Sequence, residues 1–235
     1  MNIEILYPEF GNLFGDSGNV RFLKQCLPQA TFIETPITQE PAFLTQPVDF
    51  IYMGPMTEKA QIKVIDALRP YKEKIQELIE KDLPMLFIGN ACEVFCNAIE
   101  TPHGVVEGLG IFPYTAKQEM ILRYNGLTMG EFEGMKVLGF RSQFTFGYGE
   151  NQDCAFLKVL RGHGLNPDSQ FEGFRLHNCI ATYLLGPILV INPQFTHWLL
   201  KTMGCDAPLP FENELEKAYA TRLQEFENPK VDYLA

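Results

Sequence analysis

Apolar residues along the chain gather in short runs, and two kinds of run alternate. Asn2–Tyr7, Ala30–Glu34, Val48–Met53 and Pro84–Ile88 are stretches of strand length, and Val48–Met53 is a short continuous apolar run. Runs without a polar alternate belong to strands covered on both faces. Between them the spacing turns helical. Asp16 or Ser17 caps a helix to about Leu27. Thr57 caps a second helix, with Ala60, Val64 and Leu68 one turn apart. Pro70 ends that helix and opens a third, whose apolar face is Ile75, Leu78 and Ile79. After Ile88 the chain turns at Gly89-Asn90 into a helix reaching about Ile99. The order β-α-β-β-α-α-β-α predicts an α/β fold, a mostly parallel sheet flanked by helices. Ligands of such sheets bind outside the carboxyl ends of the strands. The loops after Tyr7, Met53 and Ile88 are therefore where chemistry is expected.

The pattern changes in the second half. Gln118–Tyr124 reads as a strand, and Asn125-Gly126 as a hairpin turn. Met135–Phe140, Ala155–Leu160 and Cys179–Leu184 are further short strands with glycines between them, which predicts added antiparallel strands on the same domain. Pro193–Met203 is helical, and Glu212–Phe226 is a polar helix.

Composition narrows the partners. The chain has 235 residues, 46% of them hydrophobic, which fits one large domain with a full core. A formal net charge of −10 repels phosphate backbones and anionic lipid surfaces, so nucleic acid is not an expected partner. No apolar run approaches the ~20 residues that span a bilayer, and no basic segment precedes an apolar one at the start. No membrane insertion and a cytoplasmic location are expected. The six cysteines form no CxxC pair and read as free thiols. Cys92 and Cys96 stand four apart without further ligands nearby, so no metal and no cofactor is expected. His103, His163, His177 and His197 read as surface or hydrogen-bonded histidines rather than bases. Asp16-Ser-Gly-Asn19 could hold an anion at a helix start, although capping explains it as well.

Four segments, in one order, carry a family resemblance. Tyr7-Pro-Glu-Phe-Gly-Asn-Leu-Phe-Gly-Asp-Ser-Gly-Asn-Val20 is similar to an N-terminal "LNLYGDRGN" region. Asp49-Phe-Ile-Tyr-Met-Gly54 is similar to a strand leading into a glycine-rich oxyanion loop. Leu83-Pro-Met-Leu-Phe-Ile-Gly-Asn-Ala-Cys-Glu-Val-Phe95 falls where an elbow "LAICGGYQLLG" stands. Asn178-Cys-Ile-Ala-Thr-Tyr-Leu-Leu-Gly-Pro-Ile-Leu-Val-Ile-Asn-Pro193 is similar to "GTYLHGPLLPKNP". These are motifs of the class I glutamine amidotransferases of CobB/CobQ type, which serve cobyric acid and lipid II amidation. The N-terminal pattern resembles the GatD glutaminase subunit of lipid II isoglutaminyl synthase. The resemblance covers about Met1–Gly204. It implies a flavodoxin-like amidotransferase domain over 1–204, with 205–235 as a C-terminal extension packed on it.

The resemblance also implies what is missing. The family's nucleophilic cysteine falls at Gly89, which accepts a strained elbow but cannot attack an amide. Its histidine falls at Leu185, so no imidazole activates a thiol or protonates ammonia. The oxyanion loop maps onto Gly54-Pro55-Met56-Thr57-Glu58, where Pro55 removes a backbone donor. Gly54 and Asn90 are the implied oxyanion equivalents. The arginine that holds the glutamine carboxylate falls at Phe146, and the elbow glutamine at Glu93. The expected function is a GatD-like subunit that no longer hydrolyses glutamine. It would dock on a Mur-ligase-like or other amidating synthetase in cell-wall precursor metabolism. The alternative is an active glutaminase using another residue, such as Cys92, and feeding lipid II or cobyric acid amidation. A third reading is a small-molecule binder that uses the old pocket.

Overall fold

The computed structural model describes residues 1–121 and 123–231. The first half follows the expected order. Strand β1 (Asn2–Leu6) leads to α1 (Ser17–Cys26), then β2 (Thr31–Thr35), β3 (Phe50–Met53), α2 (Glu58–Leu68), α3 (Lys72–Glu80) and β4 (Met85–Ile88). Strands β5 (Ala98–Thr101), β6 (Gly104–Glu107), β7 (Thr115–Gln118), β8 (Tyr124–Phe132), β9 (Met135–Gln143) and β10 (Thr145–Tyr148) follow. The chain continues with β11 (Leu157–Arg161), β12 (Phe171–Glu172), β13 (Phe174–Leu176) and β14 (Cys179–Thr182). It closes with α4 (Ile188–Ile191), α5 (Pro193–Thr202) and α6 (Glu212–Glu227).

The main sheet has the order β13-β14-β4-β3-β1-β2, and every pair in it is parallel except β13 with β14. Alternation along its strands feeds two cores. Ile51, Met53, Met85 and Phe87 face one layer with α2 and α3. Phe50, Tyr52, Leu86 and Ile88 face the other with α1 and α5. The continuous apolar runs are thus strands covered on both faces. Two four-stranded sheets adjoin this layer: β10-β7-β5-β6, and the antiparallel β12-β11-β8-β9. Helix α6 lies on the latter, where Tyr219 Oη donates to the Lys136 carbonyl at 2.7 Å. Of the expected extension 205–235, residues 232–235 lie outside the described residues.

Five local expectations are corrected. Cys179–Leu184 is not part of an added antiparallel sheet. Its core, β14, inserts beside β4 with Cys179 opposite Met85. The buried run Cys-Ile-Ala-Thr, apolar through its first three residues, is the mark of an interior strand. The expected helix to Ile99 is instead a 3-10 segment, Gly89–Phe95, followed by β5. Ala91 through Cys96 are all buried, so no solvent face exists for an amphipathic helix. The carbonyls of Val94, Phe95 and Cys96 accept instead from Leu109, Ile111, Phe112 and Gly110.

Asn125-Gly126 is no turn. Both residues lie within β8, opposite Ser142 and Arg141. The hairpin reverses at Glu133-Gly134, with φ of 47° and 79°, the two positive values that a two-residue turn of this hand requires. Glu133 tolerates its position because Arg175 and Trp198 both donate to its carboxylate. The expected strand Gln118–Tyr124 splits: β7 ends at Gln118, residues 120–121 turn, and β8 begins at Tyr124, while Leu122 lies outside the described residues. Finally, Asp16 flanks α1 without capping it through its side chain. Its carboxylate is buried and accepts from Tyr52 Oη and from Asn19 Nδ2. That internal commitment also leaves the segment without the look of an anion site.

Candidate functional site

The carboxyl ends of β1, β3, β4 and β14 meet at a crevice of about 210 Å³. Each expected loop contributes. Leu13 and Phe14 come after β1, Pro55–Glu58 after β3, Gly89, Asn90 and Glu93 after β4, and Tyr183 and Leu185 after β14. The antiparallel half closes the other side with Arg123 and residues 142–145.

Gly89 sits where β4 ends, with φ of 62°, a left-handed value that suits glycine. The turn is held from the next residue. Met56 N donates to Asn90 Oδ1 at 2.9 Å, and Asn90 Nδ2 returns a bond to the Met56 carbonyl at 2.8 Å. Gln61 Nε2 adds a bond to the Asn90 carbonyl at 2.7 Å. Asn90 therefore ties the β4 elbow to the loop after β3, and its amide is spent on that tie.

Leu185 faces Gly89 across the crevice. It is pinned by paired backbone bonds with Phe140, Leu185 N to O at 2.7 Å and Phe140 N to O at 3.1 Å. A β-carbon at position 89 would stand 2.8 Å from Pro55 Cβ and 3.1 Å from Leu185 Cδ2. The volume that a side chain there would enter is already occupied.

Gly54 does not line the crevice. Its backbone packs against Gly11 and the Asp16 side chain, and Pro55 takes the exposed place. Phe146 does not line it either, which corrects its placement as a pocket residue. Alternation along β10 turns Thr145 toward the crevice and Phe146 the other way. Phe146 packs beside Tyr124 and His163, with ring centroids 5.8 and 6.5 Å away.

Cys92 is buried beneath the elbow and absent from the crevice wall. Tyr114 Oη donates to its Sγ at 3.5 Å. Burial, helped by Glu93, pushes its thiol well above the ordinary range, the opposite of what a nucleophile needs. Glu93 is 1% exposed but does line the crevice. Gln61 Nε2 donates to its Oε2 at 2.8 Å, and Oε1 has no hydrogen-bond partner. Burial raises its carboxyl to about 7, against the opposing pull of Gln61 and Tyr183. The Tyr183 hydroxyl stands beside it and is buried as well.

Arg123 and Gln143 line the crevice without a local sequence signal of their own, whereas Tyr183 belongs to the segment similar to "GTYLHGPLLPKNP". Gln143 is braced by Arg141 Nε at 3.0 Å. Arg123 stacks over Phe144, 4.5 Å from its ring centroid. The nearest thing to a signal for Arg123 is a basic residue in an apolar stretch beside a strand start.

The histidines stand apart from the crevice wall. His177 Nδ1 is 3.0 Å from Asp82, His197 Nε2 is 2.6 Å from Glu212, and His163 stacks on Tyr124 at 4.6 Å. His103 sits in the exposed β5–β6 turn. Among the described residues no cluster of three or more His, Cys, Asp or Glu could hold a metal, and no helix is long and apolar enough to cross a membrane.

This parallel sheet, with its elbow at the end of a central strand, is the fold of the glutamine amidotransferases. Solved structures of that class superpose on the chain: a glutamine amidotransferase at TM-score 0.56 and 12% identity, covering 86% of this chain and 98% of its own. A PurLQS structure from Thermotoga maritima reaches TM-score 0.54 at 10% identity, covering 94% and 98%. By sequence the chain is GatD-like. It is 27% identical over 213 residues to the GatD subunit of the glutamine-hydrolysing lipid II isoglutaminyl synthase of Staphylococcus aureus, spanning 86% of this chain and 83% of that one. It is 24% identical over 250 aligned positions to the GatD subunit from Streptococcus pneumoniae, spanning 99% and 94%. No family model matches the chain.

Proposed function

We propose that the chain is a glutamine amidotransferase subunit of the GatD type that does not hydrolyse glutamine and acts in the cytoplasm by docking on a Mur-ligase-like amidating enzyme. The observation that carries this reading is the filled position at residue 89. Family chemistry needs a thiol there and an imidazole opposite, within hydrogen-bond reach. This chain has Gly89 and Leu185, and Pro55 Cβ stands 2.8 Å from where the thiol's β-carbon would go, too close for both. Gly89 and Leu185 are the degenerate nucleophile and base positions in this reading. Gly54 and Asn90 are remnants of the oxyanion loop and elbow in this reading, and the Asn90 side chain is committed to Met56. The burial of Cys92 supports the same reading against a displaced nucleophile.

The test is ammonia release from glutamine by the purified chain, alone and co-expressed with the Mur-ligase-like subunit of the same genome, beside an active GatD. The expected result is background release in both cases together with a stable complex. Turnover that Cys92→Ala abolishes would install the alternative.

A further inference from the structure

Between β3 and α2 the chain runs as a strap, residues 54–57, outside any strand or helix. The strap carries Pro55 against the Gly89 position. It is tied to its neighbours by Leu13 N, which donates to the Pro55 carbonyl at 3.1 Å, and by the reciprocal bonds between Met56 and the Asn90 side chain. A buried carboxyl stands on each side of it. Asp16 lies against Gly54, so close that a β-carbon at position 54 would strike its Oδ2. Glu93 reaches the strap through Gln61, whose Nε2 donates both to Glu93 Oε2 at 2.8 Å and to the Asn90 carbonyl at 2.7 Å. Asp16 is 2% exposed and Glu93 1%. Among the described residues neither forms an ion pair. Their donors are side chains: Tyr52 and Asn19 for Asp16, and Gln61, Tyr183 and Thr145 for Glu93. The buried carboxyls elsewhere differ, for Glu4 accepts from the amides of Ala42 and Phe43, and Glu172 from that of Tyr183.

A carboxyl buried without a cation keeps its proton, or the structure around it admits water. The strap is where water enters most cheaply, because no strand ladder or helix has to break there. We propose that the strap is a proton-operated gate, seated against the elbow while Asp16 and Glu93 carry protons and lifted when they ionise, which opens the crevice toward Gly89. The inference stands whether or not the chain hydrolyses glutamine or docks on a ligase.

The groups that face the two carboxyls fix the direction. Tyr52 from β3 faces Asp16. Glu58 from α2, Cys92 and Cys96 from the elbow segment, Tyr114 and Tyr183 face Glu93, and Arg123 stands across the crevice. The thiols and phenols are pushed up and stay neutral near pH 7, and Glu58 adds to the cost of a charge on Glu93. Burial raises both carboxyls to about 7 while the strap is seated. Water returns them to the ordinary carboxylate range once it lifts. The seated state therefore binds these protons more tightly. It is fully favoured below the ordinary range, loses ground as pH rises toward 7 and loses no more above that. Within the window each carboxyl shifts the gate by up to about tenfold per pH unit.

Amide hydrogen exchange of the full chain at pH 5.5 and 7.5, read as protection factors so that the intrinsic pH dependence drops out, makes the test. Leu13 and Met56, whose N–H groups tie the strap, should lose at least about tenfold in protection at the higher pH. Ile51, inside β3, should keep its own. Asp16→Asn and Glu93→Gln preserve shape and remove the charge. Each alone should reduce the loss at Met56, and the two together should abolish it, with circular dichroism spectra like that of the native chain. Protection at Met56 that does not change with pH in the native chain would overturn the proposal. An equal loss at Ile51, or an undiminished loss at Met56 in both single variants, would overturn it as well.

Discussion

At residue 89, loss of chemistry and loss of space coincide. Restoring the two family groups by Gly89→Cys with Leu185→His supplies names rather than a site. The new β-carbon meets Pro55 at 2.8 Å in a backbone with φ of 62°. Such a residue costs on the order of 1–3 kcal/mol. We expect the double variant to fold with a stability loss of about that size in urea denaturation, and to release no ammonia above background. Robust turnover would show that Pro55 moves aside and that the rest of the pocket is intact. Replacing Leu185 opens room on one side only, since Pro55 belongs to the opposite loop.

The elbow and its loop form a unit through Asn90, whose side chain both donates to and accepts from Met56. Asn90→Ala leaves that backbone donor and acceptor unpaired in a part-buried place. It should cost about 1–3 kcal/mol and loosen hydrogen-exchange protection at Met56 before that of the β3 interior. Unchanged protection at Met56 would deny the tie. This scale also shows what the sequence disclosed. Strands β3 and β4 were legible because doubly covered strands are apolar throughout, β1 because only Glu4 interrupts its apolar run, and α2 because Thr57 and its four-residue spacing are local signals. The elbow glycine was legible by resemblance. Segment Ala91–Cys96 was not, since an apolar run carries no period when all of it is buried. The turn at Glu133-Gly134 hid because Glu133 depends on Arg175 and Trp198, both remote in sequence. Arg123 reaches the crevice through tertiary placement alone.

Across the whole molecule, carboxyls have been drawn inward. Asp16 and Glu93 are both raised to about 7 by burial, and Glu4 and Glu172 are raised as well. The native state therefore holds more protons than the unfolded chain between the ordinary carboxylate range and about pH 7. Stability falls as pH rises through that window and levels off above it. Every tenfold difference in proton affinity between the folded and unfolded chain is worth about 1.4 kcal/mol, so the decline should amount to a few kcal/mol. Urea midpoints from pH 4.5 to 8 should show it, and Glu93→Gln should flatten part of the slope. A midpoint that rises over this range would contradict the assigned directions. The position of β14 governs how the molecule comes together in time. Strand β4 gains its second neighbour only when Cys179 reaches Met85, so during synthesis one edge of a fully apolar strand waits while β5 through β13 emerge. Parallel pairings at such sequence distance form late and leave sticky intermediates. A cell making this chain thus carries an interval of aggregation risk, and one that a timely chaperone or an already folded partner would shorten.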